Sequence, residues 1–253
     1  MLTKPQPRIV IFTGSGISAE SGLATFRGDD GLWNNHAIDD VCNENTWRQN
    51  YGLVHDFYNN LRQSLAQAKP NQAHYCIAQI QQQYGTLVQL VTQNVDDLLE
   101  RAGATKVLHL HGHLCELRCD HCAHEWGFGY QLFDQDNAEH RRCPHCGEDQ
   151  QCVRPNIVFF GGPAPNYHHF YRILAAANHP DSIFIVSGTQ GSVVPIDSLL
   201  QPVKGRLWLN NLEQSPYIDS SRYERVWQAP ATQAWPEIMA QLENHCSALG
   251  IAP

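Results

Sequence analysis

At 253 residues and 42% hydrophobic content, the chain can build one large α/β domain with an inserted module and a substantial core. Its formal charge of −8 argues against non-specific nucleic-acid binding, which needs clustered Lys and Arg, and suits cationic partners such as lysine-rich segments. Near the N-terminus only Ile9-Val10-Ile11-Phe12 is continuously apolar, too short for a signal-peptide core, and no run approaches a membrane span, so a cytoplasmic protein is expected.

In chain order, residues 8–33 come first and say most. Ile9-Val10-Ile11-Phe12 suits a buried strand, Thr13-Gly14-Ser15-Gly16 must turn sharply, and Ile17-Ser18-Ala19-Glu20 continues at helical spacing. Gly14-Ser15-Gly16-Ile17-Ser18-Ala19 fits G-x-G-x-x-G/A, in which the first glycine permits the turn and the second lets the backbone approach a pyrophosphate. The acidic residue expected at the end of a second strand about 20 positions later is missing, because Asp39 and Asp40 follow the loop-like Asn34-Asn35-His36. A nucleotide site is expected, but not an ordinary dehydrogenase site.

Helical stretches are predicted at 53–67, 72–83 and 167–177, and further strands at 87–91, 107–110, 157–160, 183–186 and 206–209. Strands alternating with helices imply a mostly parallel sheet, whose ligands bind beyond the carboxyl ends of the strands. Thr92-Gln93-Asn94-Val95-Asp96, His111-Gly112, Ser187-Gly188-Thr189-Gln190 and Asn210-Asn211-Leu212-Glu213 lie at such ends. On a strand of period two, His109, His111 and His113 would share one face, which fits either a catalytic metal or one general base among structural neighbours.

Nine cysteines in a chain expected in the cytoplasm read as metal ligands plus buried thiols. Cys119-x-x-Cys122 and Cys143-x-x-Cys146, separated by 20 residues, can close a tetrahedral zinc site. Four sulfur ligands leave no position for a reactive water, so this zinc is structural and catalysis lies elsewhere. Cys42, Cys76, Cys115, Cys152 and Cys246 read as buried or incidental thiols.

Together these motifs, with Thr25-Phe26-Arg27-Gly28, Gly31-Leu32-Trp33 and Gly188-Thr189, occur in sirtuin order. From about residue 8 to 242 the chain resembles the sirtuins, NAD-dependent protein-lysine deacylases, and its short connection to Trp33 resembles the bacterial and mitochondrial branch. The resemblance implies a single catalytic domain over 1–253. A Rossmann-like lobe (about 5–33, 85–112 and 155–245) would join a smaller lobe formed by a zinc ribbon (about 113–154) and a helical insertion (about 34–84). It places Gly14, Ser15, Gly16 and Arg27 around the phosphates and adjoining ribose of NAD, with Ile17, Phe26 and Trp33 also in the cofactor site. Gln93, Asn94, Val95 and Asp96 would surround the nicotinamide end, with Asn94 also catalytic, and Gly188, Thr189 and Gln190 would continue the cradle. Asn211, Leu212, Glu213 and Ala231 would meet the adenosine end. His111 would be the general base, and Tyr58, Val158, Phe159, Phe160 and Gly161 would hold the acyl-lysine substrate, partly by β-augmentation. The implied products are nicotinamide, free lysine and O-acyl-ADP-ribose, with no nucleic-acid or membrane partner and a monomeric enzyme.

Some positions depart from the family pattern. Asn156 stands where His is usual, Phe159 where Trp is usual, Gly162 where Glu is usual, and Gln190 where Ser is usual. Acid-accepting sirtuins carry Tyr-x-x-Arg, whereas Tyr58-Asn59-Asn60-Leu61 keeps only the tyrosine and puts Arg62 one position on, rotated by about 100° on a helix. A neutral acyl group such as acetyl is therefore expected. The altered channel leaves open a second reading, mono-ADP-ribosyl transfer to a protein or small acceptor, and a third, an NAD-sensing or NAD-degrading protein.

Overall fold

Along β1 (Ile9–Thr13) every side chain is buried, and successive residues face opposite ways. Ile9 and Ile11 enter one apolar cluster, while Val10 and Phe12 enter another. A strand buried on both faces belongs at the centre of a covered parallel sheet, and β1 lies there. The computed structural model describes residues 8–25 and 37–251.

After β1 the chain forms α1 (Ile38–Val41), α2 (Tyr51–Gln67), α3 (Gln72–Tyr84), β2 (Val88–Thr92), α4 (Leu98–Arg101) and β3 (Leu108–His109). Then come β4 (Gly112–Cys119), β5 (Glu125–Gly127), α5 (Ala138–Arg141), β6 (Val153–Ile157) and α6 (Asn166–Ala176). The chain continues through β7 (Ile183–Ser187), α7 (Ile196–Leu199), β8 (Arg206–Asn211), β9 (Arg225–Gln228) and α8 (Ala231–Ala248). Six strands form a wholly parallel sheet in the order β3-β2-β1-β7-β8-β9. This doubly wound order reverses between β1 and β7, and the crevice outside those two strand ends is where such sheets take ligands. α3 and α8 cover one face, where Trp235 and Ile238 are fully buried, and α6 and α7 cover the other, where Phe170 stacks on Phe12 with ring centroids 5.3 Å apart.

The second sheet is small and antiparallel, in the order β5-β4-β6, and it packs with α2 around a separate core that includes Trp47, Tyr58, Leu117 and Phe159. The strand predicted at 157–160 lies earlier, at Val153–Ile157, and pairs with β4 rather than joining the parallel sheet. The helical continuation predicted after Gly16 is two single 3-10 turns, Ser15–Ile17 and Ala19–Ser21, ended by Gly22 at φ 85°. Ser18 between them turns its hydroxyl to Asp96 and Asn94, which holds the segment against the loop after β2 instead of letting it propagate as a helix.

Candidate active site

Loops from β1, β2, β7 and β8 converge at the switch point. The Gly14 amide donates to the Ser187 carbonyl at 3.0 Å and the Gly16 amide to the Gly188 carbonyl at 2.9 Å. These loops touch so closely that a Cβ on Gly14 would lie 2.7 Å from the Gly188 carbonyl oxygen, and one on Gly16 2.7 Å from the Gly188 Cα. The glycines are thus required by contact between two loops of the chain, a reason the sequence alone did not expose.

Thr189 is fixed from both sides. Its amide donates to Asn211 Oδ1 at 3.0 Å, its carbonyl accepts from Asn211 Nδ2 at 2.9 Å, and its hydroxyl accepts from Gln93 Nε2 at 2.8 Å. This brings Gln93, Gly188, Thr189 and Asn211 together with Gly14, Ser15, Gly16 and Ile17. Gln190 is exposed, and its carbonyl accepts from the Ser215 hydroxyl. Leu212 and Glu213 are exposed just beyond β8, whereas Ala231 is buried at the start of α8. Phe26, Arg27 and Trp33 lie outside the described residues.

Asn94 donates from Nδ2 to the Ser18 hydroxyl at 3.1 Å, and Ser18 donates to Asp96 Oδ2 at 2.9 Å. Burial raises the Asp96 carboxyl, against the pull of the Leu98 amide and the Ser18 hydroxyl. Asn94 Oδ1 is buried with no hydrogen-bond partner, an acceptor suited to a polar ligand group. Val95 is half-buried and packs toward the small-sheet core, while its carbonyl accepts from the Leu114 amide at 2.8 Å.

The three histidines do not share a face. Gly112, at φ 91°, turns the chain between β3 and β4 and breaks the two-residue period. His111 Nδ1 lies 3.1 Å from the Gln93 carbonyl, which can only accept, so Nδ1 carries the proton. Nε2 is then left with a lone pair, 3.0 Å from the Tyr167 hydroxyl that donates to it. Burial lowers the His111 pKa, partly opposed by the Gln93 carbonyl, and keeps the ring neutral. A neutral imidazole with a defined tautomer can accept a proton at Nε2. His109 and His113 turn away from it, towards Glu100.

The segment expected to hold the substrate, 158–161, runs beside His111. The Val158 amide donates to the His111 carbonyl at 2.9 Å, and the Phe160 amide donates to the Cys42 carbonyl at 2.9 Å. The Phe160 carbonyl accepts from the Glu44 amide at 3.0 Å, so much of this backbone is already paired with residues 42–44. Phe159 is buried and stacks on the buried Tyr58 ring at 6.0 Å, and Gly161 turns at φ 79°. Asn156 donates to Glu116 Oε2 at 2.8 Å, which ties it to the small sheet.

Glu44 escaped the sequence reading. A Cβ added at Gly162 would lie 2.7 Å from Glu44 Oε2, and the same carboxylate pairs with Arg154 at 3.4 Å. The Glu44 carboxylate thus lies against the backbone of position 162. No spacing rule connects positions 44 and 162, which lie far apart in the chain.

Cys119, Cys122, Cys143 and Cys146 place their sulfurs within 4.8 Å of one another. The donor set fits zinc, and the backbone supports it: the Ala123 amide donates to the Cys119 carbonyl at 2.8 Å, and the Gly147 amide to the Cys143 carbonyl at 3.0 Å. Burial raises the Cys143 thiol, but the Cys146 and His145 amides outweigh it and bring the group down to about 7. Cys152, read as a buried or incidental thiol, is buried and sits 3.7 Å from the Cys119 sulfur.

A doubly wound sheet with glycine loops at its switch point and a four-cysteine module defines a dinucleotide-site protein with a separate metal module. The Sir2 family model matches residues 14–195, and the chain belongs to that family. It is 38% identical to an NAD-dependent protein deacylase of Helicobacter hepaticus over 94% of this chain and 98% of the relative. It is 36% identical to an NAD-dependent protein deacylase of Escherichia coli K12 over 98% of this chain and 86% of the relative. Among solved structures, a Sir2 homologue in complex with NAD aligns with a TM-score of 0.78 at 31% identity, covering 93% of this chain and 89% of that one.

Proposed function

We propose that this chain removes acyl groups from protein lysines at the expense of NAD, releasing nicotinamide and O-acyl-ADP-ribose. The observation that carries the reading is the arrangement around His111: a neutral imidazole whose Nε2 lone pair accepts from the Tyr167 hydroxyl, beside a loop that presents the unpartnered Asn94 Oδ1. Glycine loops from both sides of the switch point complete a cradle fitted to a dinucleotide. NAD would supply an electrophilic ribose carbon with nicotinamide as leaving group.

In this reading Gly14, Ser15, Gly16, Ile17, Gly188, Thr189 and Gln190 hold the phosphates and adjoining ribose, joined by Phe26, Arg27 and Trp33. Gln93, Asn94, Val95 and Asp96 orient the nicotinamide end, and Asn211, Leu212, Glu213 and Ala231 receive the adenosine end. His111 Nε2 takes a proton from a ribose hydroxyl once Tyr167 yields its hydrogen bond. Tyr58, Val158, Phe159, Phe160 and Gly161 line the path of the acyl-lysine. Zinc on Cys119, Cys122, Cys143 and Cys146 holds the module together and takes no part in the reaction.

The reading extends to a cytoplasmic monomer of two lobes acting on acylated-lysine proteins, without nucleic-acid or membrane partners. The formal charge of −8 supports a cationic peptide partner. Among the described residues no helix is long and apolar enough to cross a membrane. His111→Ala is expected to lower deacylation at least ~100-fold while zinc content and melting temperature stay unchanged. Turnover near that of the parent protein would overturn the assignment.

A further inference from the structure

The histidines flanking His111 are not used by this reading, and they meet on the other side of the β2 loop. His109 Nε2 lies 2.9 Å from Glu100 Oε1, and the His109 and His113 rings meet edge to face with centroids 4.8 Å apart. One donor atom from each of Glu100, His109 and His113 falls within 4.8 Å of the others. We propose that Glu100, His109 and His113 form a second metal site, separate from the cysteine module, for a divalent transition ion of the zinc and cobalt type.

Two imidazoles and a carboxylate are the donor set that zinc and its neighbours accept, leaving a position for water. His109 has the support expected of a metal ligand: its Nδ1–H donates to the Asn94 carbonyl at 2.8 Å and fixes the ring, while its Nε2–H donates to Glu100 Oε1 at 2.9 Å, and an ion binding between them would take the place of that proton. Glu100 has spare capacity as well, because its Oε2 is buried without a hydrogen-bond partner. His113 offers the third donor atom, its ring set edge to face against that of His109. Ligation through its Nε2 would require giving up the long 3.3 Å contact in which Nδ1 accepts from the Cys115 amide.

The location gives the site a consequence. His109 touches the loop of Asn94, so an ion held there is one hydrogen bond from the proposed nicotinamide end. The proposal does not depend on the deacylase reading, since it concerns binding alone.

The test uses full-length protein whose cysteine site holds one zinc per chain by elemental analysis. Titration with Co2+ should show one further equivalent, with visible bands of nitrogen and oxygen ligation and no sulfur-to-cobalt charge-transfer band. His113→Ala and Glu100→Gln should each weaken that equivalent at least ~10-fold, with melting temperatures measured before cobalt is added confirming that both variants fold. Absence of the second equivalent would overturn the proposal. So would undiminished binding in both folded variants, which would place the ion on histidines elsewhere.

Discussion

Arg62 is wholly buried, and its guanidinium is engaged. It donates to the Gln131 carbonyl at 3.1 Å, to Asn59 Oδ1 at 2.8 Å and to the Leu114 carbonyl at 3.5 Å, and it lies over the Phe128 ring. Burial pulls its pKa down to about 10, which still leaves it cationic, yet it cannot turn to meet an acyl carboxylate without abandoning these partners. Matched peptides should therefore lose acetyl or butyryl much faster than succinyl, and equal or faster desuccinylation would contradict this account of the pocket. The one-residue displacement of Arg62 from Tyr-x-x-Arg was readable in the sequence, because helix geometry fixes the rotation. Glu44 was not, because its contact with position 162 depends on how residues 42–44 pair with Phe160. The orientation of His111 was half legible: its position at a strand end follows from the pattern, but the turn at Gly112 does not.

Among the elements, those with strong apolar patterning were legible and those without it were not. The predicted stretches 53–67, 72–83 and 167–177 correspond to α2, α3 and α6, and the strands predicted at 87–91, 107–110, 183–186 and 206–209 correspond to β2, β3, β7 and β8. α8 has no place in that reading, since Pro230 and Pro236 punctuate its start as they would a loop, and only packing of Trp235, Ile238 and Leu242 on the sheet reveals it. β9, Arg225–Gln228, is an edge strand with three exposed residues and lacks the buried run that marked its neighbours. The contact between the β1 and β7 loops predicts a contrast between two glycines of positive φ. Gly188→Ala would put a Cβ 2.6 Å from the Ile17 amide nitrogen, so it should cost about 1–3 kcal/mol in stability and weaken NAD binding measured by calorimetry. Gly22→Ala meets nothing within 4 Å and should cost about 1 kcal/mol with NAD affinity kept. Equal effects of both on NAD affinity would show that the loop contact is unimportant.

Across the whole molecule, two buried histidines contribute to the response to acid. Burial lowers His55 to about 3, with Arg62 adding to it against the Val153 carbonyl, and lowers His74 to about 4, against Glu100. Each is neutral in the folded protein, while in the unfolded chain each titrates near the ordinary value of about 6.5. Below that value the unfolded state binds more protons, so stability falls as pH drops, by up to about 1.4 kcal/mol per pH unit for each histidine, until the folded pKa is reached. Denaturant melts from pH 7 to 4 should show this loss, and His55→Phe should flatten it, whereas a slope unchanged by the substitution would exclude His55 as its source. The whole-chain architecture was legible because the glycine turn, the strand ends and the paired cysteines each occupy a fixed place in one pattern. What that pattern could not supply is how residues 158–162 are held, which depends on their contacts with His111 and residues 42–44.

The claim that unites these scales is that the switch-point cradle and His111 couple NAD cleavage to acyl-lysine. The most direct measurement is mass spectrometry of one reaction, pure protein with NAD in the presence and absence of acetylated peptide. The account predicts one nicotinamide and one O-acetyl-ADP-ribose per lysine freed, and almost no nicotinamide without peptide. Nicotinamide release independent of peptide, or ADP-ribose attached to protein in place of O-acetyl-ADP-ribose, would contradict it.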